Sequence, residues 1–242
     1  VEQAIAAQFI KGTVANRLER VDVAWDVDCV MDIDGSKYSA QGDAFSDHVA
    51  KALGTNQQFA IYCGHSGPSG MMTRKGNLSF EAMLGDSEPK GRTGVFLTTG
   101  CYACQARGFG GQGYGLDLLG AAEGPAAVIG AYAESYAAAG QLALDGALQC
   151  LSSHSQGDSK SQGNAASKAD EKSRAEFVGD YWLAVQAGLA RGKISPAEFY
   201  LYDRADGSNG TVSLEDQRKE HLEMWGLFGD PAMPIPTVQV TE

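Results

Sequence analysis

Apolar and polar positions follow two rhythms along the chain, and the switches between them lay out its elements. In residues 1–20 the apolar positions Ala4, Ile5, Phe9, Ile10, Val14 and Leu18 recur at helical spacing and predict an amphipathic helix. Residues 21–31 alternate loosely and carry β-branched side chains, which predicts a strand, and Asp34-Gly35 marks a turn. Asp43 to Leu53 reads as a short helix ending at Gly54. Three short apolar runs, Phe59–Cys63, Gly94–Thr99 and Ala126–Gly130, lack alternation and suit strands buried on both faces. Helices are expected near 113–123, over the Ala-rich stretch at about 135–150, over 176–191 and over 214–225. Asp206–Gly210 reads as a turn, and Pro231, Pro234 and Pro236 mark an extended end. Strands alternating with helices imply an α/β fold with a mostly parallel sheet covered on both faces.

One stretch breaks this pattern. Residues 152–175 are Ser, Gln, Gly, Asn, Lys and Asp with almost no large apolar side chain, too little buried surface to offset ordering entropy. The chain beyond it is too short for an independent core, so the stretch predicts a mobile loop within a single domain spanning 1–242. It also predicts sensitivity to proteolysis.

Composition sharpens the picture in three ways. The chain has 242 residues, 43% of them apolar, enough for a sizeable core. No apolar run approaches the roughly 18 residues a membrane span requires, so no membrane partner is expected. A net charge of −11 without a Lys/Arg run argues against nucleic acid or anionic lipid as a partner. The first residue is Val1, so any targeting signal lies out of view. Five cysteines, Cys29, Cys63, Cys101, Cys104 and Cys150, are an odd number in a chain too large to need a disulfide framework. At least one thiol is left over as a candidate nucleophile, while the others read as small buried apolar residues.

His65 and Cys101 each follow a strand-like run and a glycine. In a parallel sheet, ligands bind beyond the carboxyl ends of the strands, and one crossover would set these two side by side there. A thiol needs a nearby base or cation to become a thiolate at neutral pH, and an imidazole supplies one, then protonates the leaving amine. Backbone N–H groups after the strands can hold the oxyanion. Rival readings use the same residues. Cys63, His65, Cys101 and Cys104 offer four tetrahedral zinc ligands. The zinc nucleobase deaminase pattern fails, because Gly67 and Gly100 stand where it needs Glu and Pro. Gly64–Pro68 nearly fits the serine-hydrolase elbow, but Pro68 replaces its last glycine. Asp203–Glu215 is rich in Asp, Asn and Gly, yet Ala205 and Gly207 occupy EF-hand ligand positions, so it reads as a turn.

Four segments, taken in order, carry a family resemblance: Tyr62-Cys63-Gly64-His65-Ser66-Gly67, Leu97–Tyr102, Gly124–Ala131 and Leu227–Met233. Together they resemble the gingipain-type cysteine peptidases of the caspase-like clan. The resemblance implies a caspase-like three-layer α/β sandwich, a protein or peptide substrate, no cofactor or metal, and a secreted or periplasmic setting. It carries His65 over as the catalytic histidine, Cys101 as the nucleophile, and the N–H groups of Ser66 and Cys101 as oxyanion donors. It also implies a specificity pocket walled by the loop Tyr132–Tyr136, with Tyr136, then Tyr132, as the aromatic cover. An aromatic face beside a carboxylate from Glu134 or Asp28 suits a basic side chain before the scissile bond. Caspase-like enzymes often mature by internal cleavage, and the polar loop carries Lys160, Lys168, Lys172 and Arg174. The chain departs from the pattern at Ser66, where Gly is usual, at Cys104, a candidate redox partner for Cys101, and at its start, where a strand ordinarily precedes the first helix. Asp230 before Pro231 is expected to cap a turn. The alternative from another class is a caspase-like binding or regulatory module with a zinc or redox Cys-x-x-Cys and no turnover.

Overall fold

The computed structural model describes residues 43–54, 57–84, 93–106, 111–151 and 175–235. The helix expected over 1–20, the strand over 21–31 with Asp28 and Cys29, and residues 152–174 lie outside them.

Among the described residues four strands form the main sheet: β1 (Phe59–Tyr62), β5 (Val95–Thr98), β6 (Ala127–Ala131) and β7 (Trp225–Gly229), in the order β1-β5-β6-β7. The first three run parallel, and β7 returns antiparallel to β6. The three apolar runs thus become the three parallel strands, as their lack of alternation predicts. The Leu227–Gly229 part of the C-terminal motif is the end of β7. Three further strands, β2 (Ser66–Gly67), β3 (Gly70–Thr73) and β4 (Gly76–Leu78), make a small antiparallel sheet directly after β1. The sequence pattern predicts no element here; these strands are too short to show a periodicity.

Helices cover both faces. On one side Phe96 and Val128 meet Phe45 and Leu53 of α1 (Asp43–Gly54), Met83 of α2 (Phe80–Leu84), and Tyr114 and Leu118 of α3 (Tyr114–Gly120). On the other side Val95, Leu97, Ala127, Ile129 and Ala131 meet α4 (Ala137–Leu151) and α5 (Val178–Arg191). Successive residues of one strand enter opposite cores, the period of two that a strand imposes. Two more helices, α6 (Pro196–Ala205) and α7 (Leu214–Met224), complete the C-terminal half. Periodicity did not predict α6; its signal is the capping box in which Ser195 Oγ accepts from Glu198 N and Glu198 accepts from Ser195 N, with Pro196 at the first helical position. As expected, Asp230 caps a turn, its Oδ1 accepting from the Ala232 N–H at 2.8 Å.

The Ala-rich helix α4 is buried nearly all round and packs closely on α5. A Cβ on Gly146 would lie 2.1 Å from the Ala184 carbonyl oxygen, and one on Gly188 would lie 2.3 Å from that of Leu142. The two helices meet where neither can carry a side chain. Gly146→Val is therefore expected to lose about 2 kcal/mol or more by urea unfolding, because rigid backbone must move. Leu183→Ala on the same helix pair, at a site 62% exposed, is expected to lose less than about 0.5 kcal/mol. Equal losses at the two sites would refute this account of the contact.

Candidate active site

Register brings the two candidate loops together. Tyr62 of β1 lies opposite Thr98 of β5, and Thr99 N–H donates to the Tyr62 carbonyl at 3.0 Å. His65 and Cys101 each lie three residues past these paired strand ends, at one edge of the sheet. The Tyr62 hydroxyl turns back and donates to the His65 carbonyl at 2.7 Å, fixing the backbone that carries the imidazole. The imidazole itself is at the exposed surface.

Ser66 joins the loops directly. Its buried hydroxyl donates to the Cys101 carbonyl at 2.7 Å. A Cβ on Gly100 would sit 2.1 Å from that Oγ, so the glycine before Cys101 makes room for the serine across from it. Beneath them Gly100 N–H donates to Thr98 Oγ1 at 3.1 Å, and Thr98 Oγ1 lies 2.8 Å from the buried Tyr114 hydroxyl. The Ser66 hydroxyl is thus committed to a structural bond, which removes the serine-hydrolase reading of Gly64–Pro68.

Tyr102, immediately after Cys101, holds a left-handed φ of 58°. A non-glycine residue there costs on the order of 1 kcal/mol and persists only where neighbours enforce it. The enforcing bonds run from Tyr102 N–H to Ala133 O and from Cys104 N–H to Ala131 O, both 2.9 Å. They strap the Cys101 turn to the segment leaving β6.

That segment also supplies the sulfur's partners. Ser135 N–H points at Cys101 Sγ from 3.3 Å, and the thiol donates to Ser135 O at 3.6 Å. The hydrogen bonds of the sulfur thus run to Ser135 rather than to His65. Burial pushes the Cys101 thiol up, the charges of Glu134 and Asp206 push it further, and the Ser135 N–H and its own N–H oppose them. Cys104 is buried against β6, and burial pushes its thiol up to about 12, so it is inert rather than a nucleophile. Both are free thiols, as are Cys63 and Cys150, so no Cys101–Cys104 disulfide is present. Among the described residues no three His, Cys, Asp or Glu side chains gather as metal ligands, so Cys63, His65, Cys101 and Cys104 do not assemble the zinc site. The Asp203–Glu215 stretch is a turn in which Asp203 and Asp206 accept from Gly210 and Ser208 N–H groups.

Three residues that the sequence reading missed surround the segment. Asp206 Oδ2 accepts from Ala137 N–H at 2.9 Å and caps α4 from another part of the chain. Glu220 of α7 accepts from the Tyr136 hydroxyl; burial first, and then this carboxylate, push that phenol up. His221, fully buried, sits 3.0 Å from Tyr136 N and 3.1 Å from Ser135 Oγ through Nε2, and 2.8 Å from Gln217 O through Nδ1. The signal for His221 was present: Gln217, His221 and Met224 are the buried stripe of an otherwise strongly charged helix. Of the predicted pocket residues, Tyr132 and Glu134 are exposed and Tyr136 is half-buried.

With this geometry established, comparison with known proteins gives a direct assignment. The chain matches peptidase family C25 over residues 13–236. It belongs to that family, the gingipain family of cysteine peptidases, and acts on protein or peptide substrates. No curated protein and no solved structure matches it.

Two outcomes follow from these environments. Burial lowers His221 from 6.5 to about 4, so the folded protein refuses a proton that the unfolded chain accepts. Its contribution to stability is complete above pH 6.5, falls by about 3 kcal/mol as pH drops from 6.5 towards 4, and is level below. Urea unfolding across this range should show a shallower pH slope in His221→Gln, and an unchanged slope would contradict the assignment. The second concerns Glu134, whose charge raises the Cys101 thiol. Glu134→Gln should speed iodoacetamide labelling of Cys101 at neutral pH about twofold, less at high salt. Slower labelling in the variant would reverse the sign of this interaction.

Proposed function

We propose that the protein is an endopeptidase with a caspase-like three-layer sandwich, using Cys101 as nucleophile and His65 as general base and acid. The observation that carries this reading is the convergence of the two loops at paired strand ends, joined by the Ser66–Cys101 bond. His65 takes the thiol proton, and the thiolate attacks the scissile carbonyl, forming a C–S bond as the carbonyl oxygen becomes an oxyanion. The tetrahedral adduct collapses, the C–N bond breaks, and His65 returns its proton to the leaving amine. Water, deprotonated by His65, then hydrolyses the thioester.

The N–H groups of Ser66 and Cys101 are the oxyanion donors in this reading. Met72 N–H donates to His65 O at 2.8 Å, and Ser66 lies opposite Met71. Alternation along an antiparallel pair then turns the Ser66 N–H away from β3, toward the nucleophile's side.

The side chain before the scissile bond is basic in this reading. Glu134, Asp206 and Glu220 surround Tyr136, an aromatic face among carboxylates. The same charges hold the resting thiol protonated, and an arriving guanidinium offsets them, lowering the thiol as substrate binds. Tyr132 is the second aromatic wall. Asp28 remains a candidate from sequence, outside the described residues. No cofactor, nucleic acid or membrane takes part; among the described residues no helix is long and apolar enough to cross a bilayer. Family membership accords with a secreted or periplasmic protein. A single domain over 1–242, cut by the enzyme itself within 152–175, completes the reading.

Matched fluorogenic peptides ending in Arg and in Asp test it. Wild type is expected to cleave after Arg, Cys101→Ala to lose all measurable turnover while keeping its fold, and His65→Ala to lose at least about a hundredfold. Glu134→Gln and Glu220→Gln report, through KM for the Arg peptide, which carboxylate meets the basic group. Faster cleavage after Asp would sink the basic preference, and turnover in Cys101→Ala would sink the thiol mechanism. Incubating wild type beside Cys101→Ala shows in the same experiment whether 152–175 is cut by the enzyme.

A further inference from the structure

One buried, polar and titratable side chain near the nucleophile has no part in the chemistry above. His221 is 0% exposed, it lies on α7 far along the chain, and its ring is tilted against those of Tyr136 and Trp225 at centroid distances of 5.6 and 5.9 Å. A histidine in an apolar slot is costly unless both ring nitrogens are satisfied. Here both are, and the partners fix the tautomer. Nε2 lies 3.0 Å from the Tyr136 backbone N–H, which can only donate, so Nε2 carries the lone pair. Nδ1 then carries the proton and donates to Gln217 O at 2.8 Å, one turn back on the same helix. Ser135 Oγ approaches the same Nε2 at 3.1 Å.

The residues grasped by Nε2 are the ones that face the sulfur. Ser135 N–H is directed at Cys101 Sγ, and Ser135 O accepts from the thiol. Tyr136 begins the approach to α4, whose first turn Asp206 holds through Ala137 N–H. On the other side, Ala131 O and Ala133 O receive the N–H groups of Cys104 and Tyr102. The segment 131–137 is therefore pinned at one end by the nucleophile's own turn and at the other by α7 and the Asp206 turn. Gly140 N–H holds the Tyr136 carbonyl at 2.9 Å, and the His221 ring is the side chain that reaches both Ser135 and Tyr136.

We propose that His221 is a positioning residue for the peptidase reaction: its Nε2 holds Ser135 and Tyr136 so that the Ser135 backbone meets the Cys101 sulfur and Tyr136 keeps its place in the pocket wall. The proposal rests on the thiol-peptidase reading for its consequence in catalysis, but the hold itself is independent of it. His221 neither touches the reacting atoms nor moves a proton. It acts through the hydrogen bonds that Nε2 accepts from the Tyr136 N–H and the Ser135 hydroxyl, and these can be removed without removing the polar side chain.

The test separates the two ring nitrogens. Gln at position 221 places its amide near the Nε2 position, where its oxygen can accept from Tyr136 N–H. Asn reaches only the Nδ1 position and keeps a donor for Gln217 O. Both leave space beside Trp225, Asn about one methylene more, so His221→Leu, which fills that space without an acceptor, is the packing control in the same measurements and is expected to behave as Asn does. Rates of Cys101 labelling by iodoacetamide, mapped by mass, and kcat for the Arg peptide are measured on wild type, His221→Gln and His221→Asn. His221→Asn is expected to lose about tenfold or more in kcat, with a changed labelling rate, as misplacement of reacting groups does. His221→Gln is expected to stay within about threefold of wild type in both, the residue of a bond retained in imperfect geometry. Equal behaviour of the two variants, whether both impaired or both intact, overturns the proposal. If either variant fails to fold, two-bond proton–nitrogen NMR correlations on the wild-type protein decide: the Nδ1–H tautomer supports the hold, and an Nε2–H tautomer excludes it. If wild type cleaves no peptide, the thiol-peptidase reading falls, while the labelling rates and the tautomer still judge the role of His221.

Discussion

Parallel pairing of β1 with β5, and of β5 with β6, is the constraint on which the rest of this structure depends. It brings the carboxyl ends of three strands to one edge, and each chain exit there carries a part of the site. His65 and Ser66 leave β1, Cys101 leaves β5, and Ser135 and Tyr136 leave β6. The three exits are more than thirty residues apart in sequence. The strands can pair this way because their apolar side chains enter two cores at once, with helices closing both faces.

Above the strand ends, backbone and hydroxyl hydrogen bonds take over from apolar packing. Ser66 to Cys101, Gly100 to Thr98, Thr98 to Tyr114, Tyr102 to Ala133 and Ser135 to the sulfur form a connected set. A buried polar set of this kind is costly if incomplete and specifying when satisfied, because each member has one geometry that serves its neighbours. That is how a turn with a left-handed tyrosine at its apex is held in place behind Cys101. It also explains the serine where the family ordinarily has glycine: its hydroxyl is used, and the facing Gly100 makes room for it.

The electrostatics of the site run against a resting thiolate. The sulfur is partly buried, two carboxylates act on it, and the compensating donors are backbone N–H groups. A thiol held protonated is protected from adventitious oxidation, since oxidants and alkylating agents take the thiolate. Cys104, three residues on, is removed from chemistry by depth alone.

By itself the sequence determined the parallel strands, the helices α1, α3, α4, α5 and α7, the turn at Asp230, and the family, because each rests on a local pattern: an unbroken apolar run, a helical period, a motif in order. His65, Cys101, Ser66 and the segment 132–136 were legible for the same reason, as residues just past the strand-like runs. Only the tertiary structure decided that the Ser66 hydroxyl bonds the Cys101 turn, that the sulfur's hydrogen bonds go to Ser135, and that Asp206, Glu220 and His221 surround Tyr136. The short strands β2–β4 and the helix α6 were likewise hidden, the former too brief for a period and the latter announced only by its cap. Contacts such as His221 to Tyr136 join residues 85 positions apart. Local propensity carries no record of such a pairing; it exists only once two helices and a sheet have packed and the remaining donors and acceptors must find one another.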